Sequence, residues 1–246
     1  MQLEFPLGSD PRFPRIRDRL LACYGVQQDP WRLDVNARFI EAILSGDTSD
    51  EISGPAFLRL WTSVPSPEVL ATYNLVKLAA LISDVRHAER KAIYLRKAIR
   101  TIMAEYGHFD LHVLERLPVE TAHSRLTRLP GVGPKTAAAT LNFSDLRMRA
   151  MVVDRHGLRI LKCIGILSSK ADFKNAFYQV MPLLPPEWSA DDLYELHWLL
   201  KKHGQEICRP IFPACNECAL SDICAHASPH TRVRKFIDAD QQPMLP

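Results

Sequence analysis

The sequence predicts an all-α protein, and three observations carry that prediction. Apolar residues recur at intervals of three and four, no alternating strand pattern occurs, and caps and prolines punctuate the chain at helix-length intervals. The β-branched pair Val152–Val153 is too short to argue for a sheet. About ten helices joined by short loops are expected, without internal repeats.

Taken in order, Ser66-Pro67 offers an N-cap with proline at the first helical position. Ala92, Leu95, Ile99, Ile102 and Met103 mark one face of a long helix. Asp110 can cap the segment after Gly107, where Leu111, Leu114 and Leu117 repeat at three. Arg125–Leu129 closes another helix, because Pro130 cannot continue it. The end of the chain, from Thr231, is poor in apolar residues and reads as a flexible tail.

With 246 residues, 47% of them hydrophobic, the chain can bury one large core or two small ones. A net charge of +3 does not by itself announce a nucleic-acid partner. No run of eighteen apolar residues occurs, and the N-terminus lacks the order of a signal peptide. A cytoplasmic protein with reduced thiols, and no membrane partner, is expected. Charge is uneven: residues 85–100 hold six Arg/Lys against one Glu, and 146–162 hold five against one Asp. Singly, such stretches are ordinary solvated helix faces; together with a nucleic-acid motif they suit a phosphate backbone.

That motif is L-P-G-V-G-P-K-T-A, residues 129–137. Gly131 and Gly133 permit positive φ and leave the backbone around Val132 bare, so successive N–H groups can face an anion. Pro134 suits the first position of the next helix, whose N-terminus is partly positive. A helix–hairpin–helix results, able to hold a phosphate without reading a base. A nucleotide P-loop is excluded, because Pro134 stands where that motif needs Gly and the preceding segment is helical. The bland alternative is an ordinary helix corner punctuated by Gly and Pro.

Lys135 falls in the first turn of its helix, where a cation costs up to about 1 kcal/mol. The dipole and nearby basic groups would favour its free amine, which is a nucleophile. Asp154 follows nineteen residues later in M-V-V-D-R-H. An amine and a carboxylate that meet could attack a sugar C1′ and stabilise its developing charge; most lone Lys/Asp pairs do neither. Cys208, Cys215, Cys218 and Cys224 form C-x6-C-x2-C-x5-C, four of the six cysteines within seventeen residues. Zinc and a [4Fe–4S] cluster both remain open from ligand chemistry, the single C-x2-C knuckle favouring the cluster. Cys23 and Cys163 are expected to be buried apolar residues apart from that group.

Together, L-P-G-V-G-P-K-T-A, V-D-R-H at 153–156, H-G at 203–204 and the cysteine spacing resemble the endonuclease III branch of the helix–hairpin–helix DNA glycosylase superfamily. The resemblance covers about residues 30–226 and implies [4Fe–4S] rather than zinc. It implies Lys135 as the Schiff-base nucleophile and Asp154 as the catalytic carboxylate of a bifunctional glycosylase/AP lyase acting on an oxidised pyrimidine. It implies two helical domains with a DNA cleft between them. One is a six-helix barrel over 28–147, and the other, from 1–27 and 148–225, holds the cluster, leaving 226–246 as the tail. The implied partner is double-stranded DNA bearing a damaged base or abasic site, bound by a monomer associated with the nucleoid. Gly131, Val132, Gly133, Arg86, Arg90, Arg147, Arg155 and His156 are expected at DNA, with Lys201, Lys202 and Arg209 beside the cluster loop.

Two positions depart from the family. Asp47, in I-L-S-G-D-T-S-D, stands where the family has the glutamine that fills the gap of the flipped base. His87 stands where it has an intercalating leucine. An acid among phosphates is unfavourable unless it accepts from a base, and histidine stacks but is a poorer wedge. An altered lesion preference is expected, with a monofunctional glycosylase and a damage-binding protein of weak catalysis as the other readings.

Overall fold

The computed structural model describes residues 8–27 and 32–227. Among the described residues there are ten α-helices and three short 3-10 turns; the one β contact is an isolated bridge, Leu33 to Ser144. No helix among them is long and apolar enough to cross a membrane. The tail expected over 226–246 lies, from residue 228 on, outside the described residues. The chain divides into two compact units, residues 29–150 and the joined segments 1–28 and 151–246.

The first unit holds α2 (Val35–Leu44), α3 (Asp50–Ser63), α4 (Leu75–Leu81), α5 (Ala88–Tyr106), α6 (Val119–Thr127) and α7 (Pro134–Asn142). At its centre α2 starts on Asp34, whose carboxylate accepts from the Asn36 and Ala37 N–H groups. It then buries Val35, Phe39, Ile40, Ile43 and Leu44. Packed on it is α7, whose Ala137, Ala138 and Ala139 are small enough for the two backbones to approach closely. Burial of Ala92, Leu95, Ile99 and Ile102 sets the inner face of α5.

Two predicted helices are 3-10 turns instead. Pro67–Ala71 is one, and the Ser66 side chain makes no capping bond. Leu111–Arg116 is the other, capped by Asp110 through the His112 N–H. Its leucine spacing of three is the period of a 3-10 helix, so Leu111 and Leu114 stack on one inward edge.

The second unit holds α1 (Arg12–Tyr24), α8 (Arg155–Ile164), α9 (Phe173–Val180) and α10 (Ala190–Glu206). Both α1 and α8 pack on α10, which opens on a Ser189/Asp192 capping box. Past α10 the chain winds through the four clustered cysteines without regular helix.

Candidate active site and cysteine pocket

In the first unit, the hairpin runs from α6 into α7. Gly131 has φ +78, and a Cβ there would meet the Tyr94 side chain at 2.5 Å. Glycine is therefore demanded twice, by the left-handed backbone and by the aromatic ring. Gly133 departs from expectation: at φ −89 it is extended, with open space where a Cβ would stand. Val132 departs further. Its side chain is buried and its N–H donates to the Leu129 carbonyl at 3.1 Å, so it anchors the turn rather than facing an anion. Both glycines are exposed. His123, fully buried, donates from Nε2 to the Pro134 carbonyl at 3.1 Å and ties α6 to the start of α7. Burial holds its pKa below the usual histidine value, so it performs this task neutral.

Lys135 is half-buried in the first turn of α7, and its Nζ donates to Ser45 Oγ at 3.2 Å. Ser45 is the C-cap of α2, so two helix ends meet at this amine. Next along the chain is Asp47, exposed with φ +51; His87, also exposed, has φ +60 and precedes α5. Asp and His are among the side chains that tolerate the left-handed region best, so the backbone partly dictates both departures from the family pattern. Arg86 and Arg90 are exposed around His87, and Arg147 is exposed with φ +46. Lys91, from the same basic stretch, is buried instead.

In the second unit, Asp154 is the N-cap of α8 and accepts from the Gly157 N–H at 2.8 Å. Burial pushes its carboxyl up, but His197, the Gly157 N–H, His156 and Lys201 outweigh that and hold it below the usual carboxylate range. It is a carboxylate at neutral pH. Arg155 beside it is exposed, whereas His156 is half-buried. The His156 side chain lies against Gly204, where a Cβ would meet its Cβ at 2.6 Å and its ring Nδ1 at 2.8 Å, and Arg159 donates to that Nδ1 at 3.3 Å. V-D-R-H and H-G are thus two sides of one contact.

Around the cysteines lies a cavity of about 260 Å³, lined by Cys208, Cys215, Cys218, Cys224, Arg159 and Cys163. Cys163 contradicts its expected place as a separate buried residue; it is half-buried in this pocket, while Cys23 is exposed. Cys163 and Arg159 are four residues apart on α8 and so share a face, the spacing that could have revealed the contact. Arg159 donates to the Cys208 carbonyl at 2.9 Å rather than serving as a solvated cation. A hydrogen bond from the Cys163 thiol, opposed by burial and aided by Arg159, draws Cys208 down to about 6. The same bond, with burial, pushes Cys163 up.

A second chain of bonds supports Cys218. The Tyr24 hydroxyl lies 3.0 Å from His203 Nδ1, and burial first, then nearby charges, push its pKa to about 12, so it keeps its proton. His203 Nε2 lies 3.3 Å from Cys218 Sγ, and the Leu220 N–H donates to the same sulfur at 3.4 Å. Lys201 and Lys202 lie over the rings of Trp198 and Tyr24, at 4.3 and 5.2 Å from their centroids. Arg209 is exposed.

The hairpin and the sequence around it fit one known family model, that of the HhH-GPD superfamily base excision DNA repair proteins, over residues 40–186. The chain belongs to that superfamily. Its relatives include endonuclease III proteins. It is 26% identical over 206 residues to endonuclease III-like protein 1 of Gallus gallus, covering 83% of this chain and 68% of that one. It is 30% identical over 202 residues to endonuclease III homolog 2, chloroplastic, of Arabidopsis thaliana, covering 78% of this chain but only 48% of the relative. The fold matches that of a solved non-covalent endonuclease III–DNA complex, with a TM-score of 0.71 at 20% identity over 91% of this chain and 97% of the other.

Proposed function

We propose that this HhH-GPD base excision repair glycosylase is bifunctional, removing a damaged base and then cutting the strand. The observation that carries the reading is Lys135, an amine in the first turn of α7 directly after the glycine hairpin and bonded to Ser45. With the base flipped out, its free amine forms a bond to C1′ as the C1′–N glycosidic bond breaks. The base leaves with the electron pair and collects a proton from solvent. Asp154, held ionised, stabilises the positive charge that develops on the sugar. The C1′–O4′ bond then breaks as a proton passes from the nitrogen to O4′, which opens the sugar ring to a protonated imine. Loss of the C2′ proton then expels the 3′ phosphate as the C3′–O bond breaks.

Gly131 and Gly133 hold the backbone phosphate in this scheme, Arg86, Arg90, Arg147 and Arg155 add charge, and unit 29–150 is the hairpin-bearing barrel domain. The other unit is the iron–sulfur domain, with Cys208, Cys215, Cys218 and Cys224 as ligands. The pocket fits that group better than zinc. A tetrahedral zinc site brings its sulfurs to about 3.8 Å of one another. Among the described residues, no three cysteine sulfurs lie within 4.8 Å of each other. Cys218 Sγ also accepts from the Leu220 N–H, as cluster sulfurs do. When bound, the cluster supplies cross-linking of the loop.

The substrate is damaged double-stranded DNA, and the lesion is an oxidised pyrimidine. Asp47 and His87 favour an altered ranking among such lesions, because a carboxylate and an imidazole replace an amide and an apolar wedge. A panel of defined lesion duplexes, scored separately for base release and strand cutting, tests this. Both events on one substrate are expected; base release without cutting would make the enzyme monofunctional.

A further inference from the structure

Lys91 lies in the basic stretch of α5, yet only 8% of it is exposed. Its Nζ donates to the Leu44 carbonyl at 2.7 Å, to the Gly46 carbonyl, and to Thr48 Oγ1 at 3.1 Å. An ammonium has three N–H donors, and all three are used. Thr48 Oγ1 also donates to Gly46 O at 3.2 Å and accepts from the Arg86 N–H at 3.3 Å. One buried cation therefore joins the end of α2, the turn carrying Asp47 and the segment leading to His87. Helix ends are usually closed by a left-handed glycine or by water; a buried charge is a costly alternative that demands full satisfaction. The charged groups that bear on it are Asp47, from the turn, and Lys135, from α7.

We infer that Lys91 is a positioning residue for the reaction: it fixes the Ser45–Thr48 turn against Lys135 and holds a positive charge beside that amine at neutral pH. The inference rests on Lys135 being the nucleophile. Burial brings the Lys91 ammonium down to about 8, Asp47 acting against this and Lys135 adding to it, so the charge is still present at pH 7. Repulsion between like charges is reciprocal, so the same charge favours the free amine of its neighbour.

The test is borohydride trapping of the full chain on an abasic-site duplex, followed from pH 5 to 10. Wild type is compared with Lys91→Gln, which keeps a donor and drops the charge, and with Lys91→Met, which drops both. Melting curves report the fold of each. A folded Lys91→Gln should trap roughly five- to tenfold more slowly at pH 7, with its rate–pH curve moved up by about one unit. A curve that superimposes on wild type overturns the inference while leaving Lys135 as nucleophile. Absence of a wild-type adduct removes both together. Failure of both variants to fold makes Lys91 a folding residue and likewise overturns it.

Discussion

The hairpin and the cysteine pocket are built on opposite plans. In the hairpin, Gly131, Val132, Gly133, Pro134 and Lys135 are consecutive, and a φ of +78, a turn bond and a proline place the lysine. In the pocket, Cys163 comes from α8, His203 from α10, Tyr24 from α1 and the other thiols from an irregular loop. Local backbone rules are enough for the first. The second needs the unit around it to be folded. The two should fail differently when damaged.

The largest effects belong to the pocket. Cys215→Ser or Cys218→Ser should abolish absorbance near about 410 nm and leave the chain with little soluble folded protein, because a bound cluster contributes directly to stability. Cys163→Ser should keep that absorbance, since C-x6-C-x2-C-x5-C already supplies four ligands. Iron content per chain separates the two outcomes. In the hairpin, Gly131→Ala should cost roughly 2–4 kcal/mol, from the left-handed backbone and the 2.5 Å approach to Tyr94. A lowered melting temperature and weakened duplex binding, with unchanged iron content, are expected. If iron were lost as well, the two regions would not be the independent structures described.

Asp154 gives a smaller effect with a definite pH sign. Its carboxyl is held below the usual range, so its stabilising contribution is complete above the unfolded value, about 3.9. It is lost only as pH falls through the still lower folded value. Asp154→Asn should therefore cost stability at neutral pH, and its melting curve should converge with wild type only in strong acid. The smallest change is expected at Asp47. Asparagine tolerates the left-handed region, so Asp47→Asn removes the charge without backbone strain. Duplex binding should tighten about two- to threefold at low salt, and the gain should fade as salt is raised. Asp47→Gln tests the same charge but adds a backbone cost of roughly 1 kcal/mol, so a smaller gain on a thymine-glycol duplex is expected there.

Much of this plan was legible in the residues. Proline at the head of α7, Asp110 as a cap and the inner face of α5 follow from short-range rules, and each is as expected. The leucines spaced by three were read as helical, and the interval fitted the tighter 3-10 turn. What escaped was tertiary. Lys91 and Arg159 look like surface cations in a string of basic residues, and only the packed structure turns one onto the end of α2 and the other onto the Cys208 carbonyl. Cys163 lies 45 residues before Cys208 in the chain, so spacing alone does not join it to the other thiols. His203 and Gly204 were visible as a motif, but their partners Cys218 and His156 were not.

The central claim, a Schiff base at Lys135, is tested most directly by locating the covalent bond. The borohydride-reduced adduct on an abasic duplex can be digested and the modified peptide identified by mass spectrometry. The added mass should sit on Lys135, and Lys135→Gln should give no adduct. An adduct on Lys91 or any other amine, or one that persists in Lys135→Gln, would contradict it.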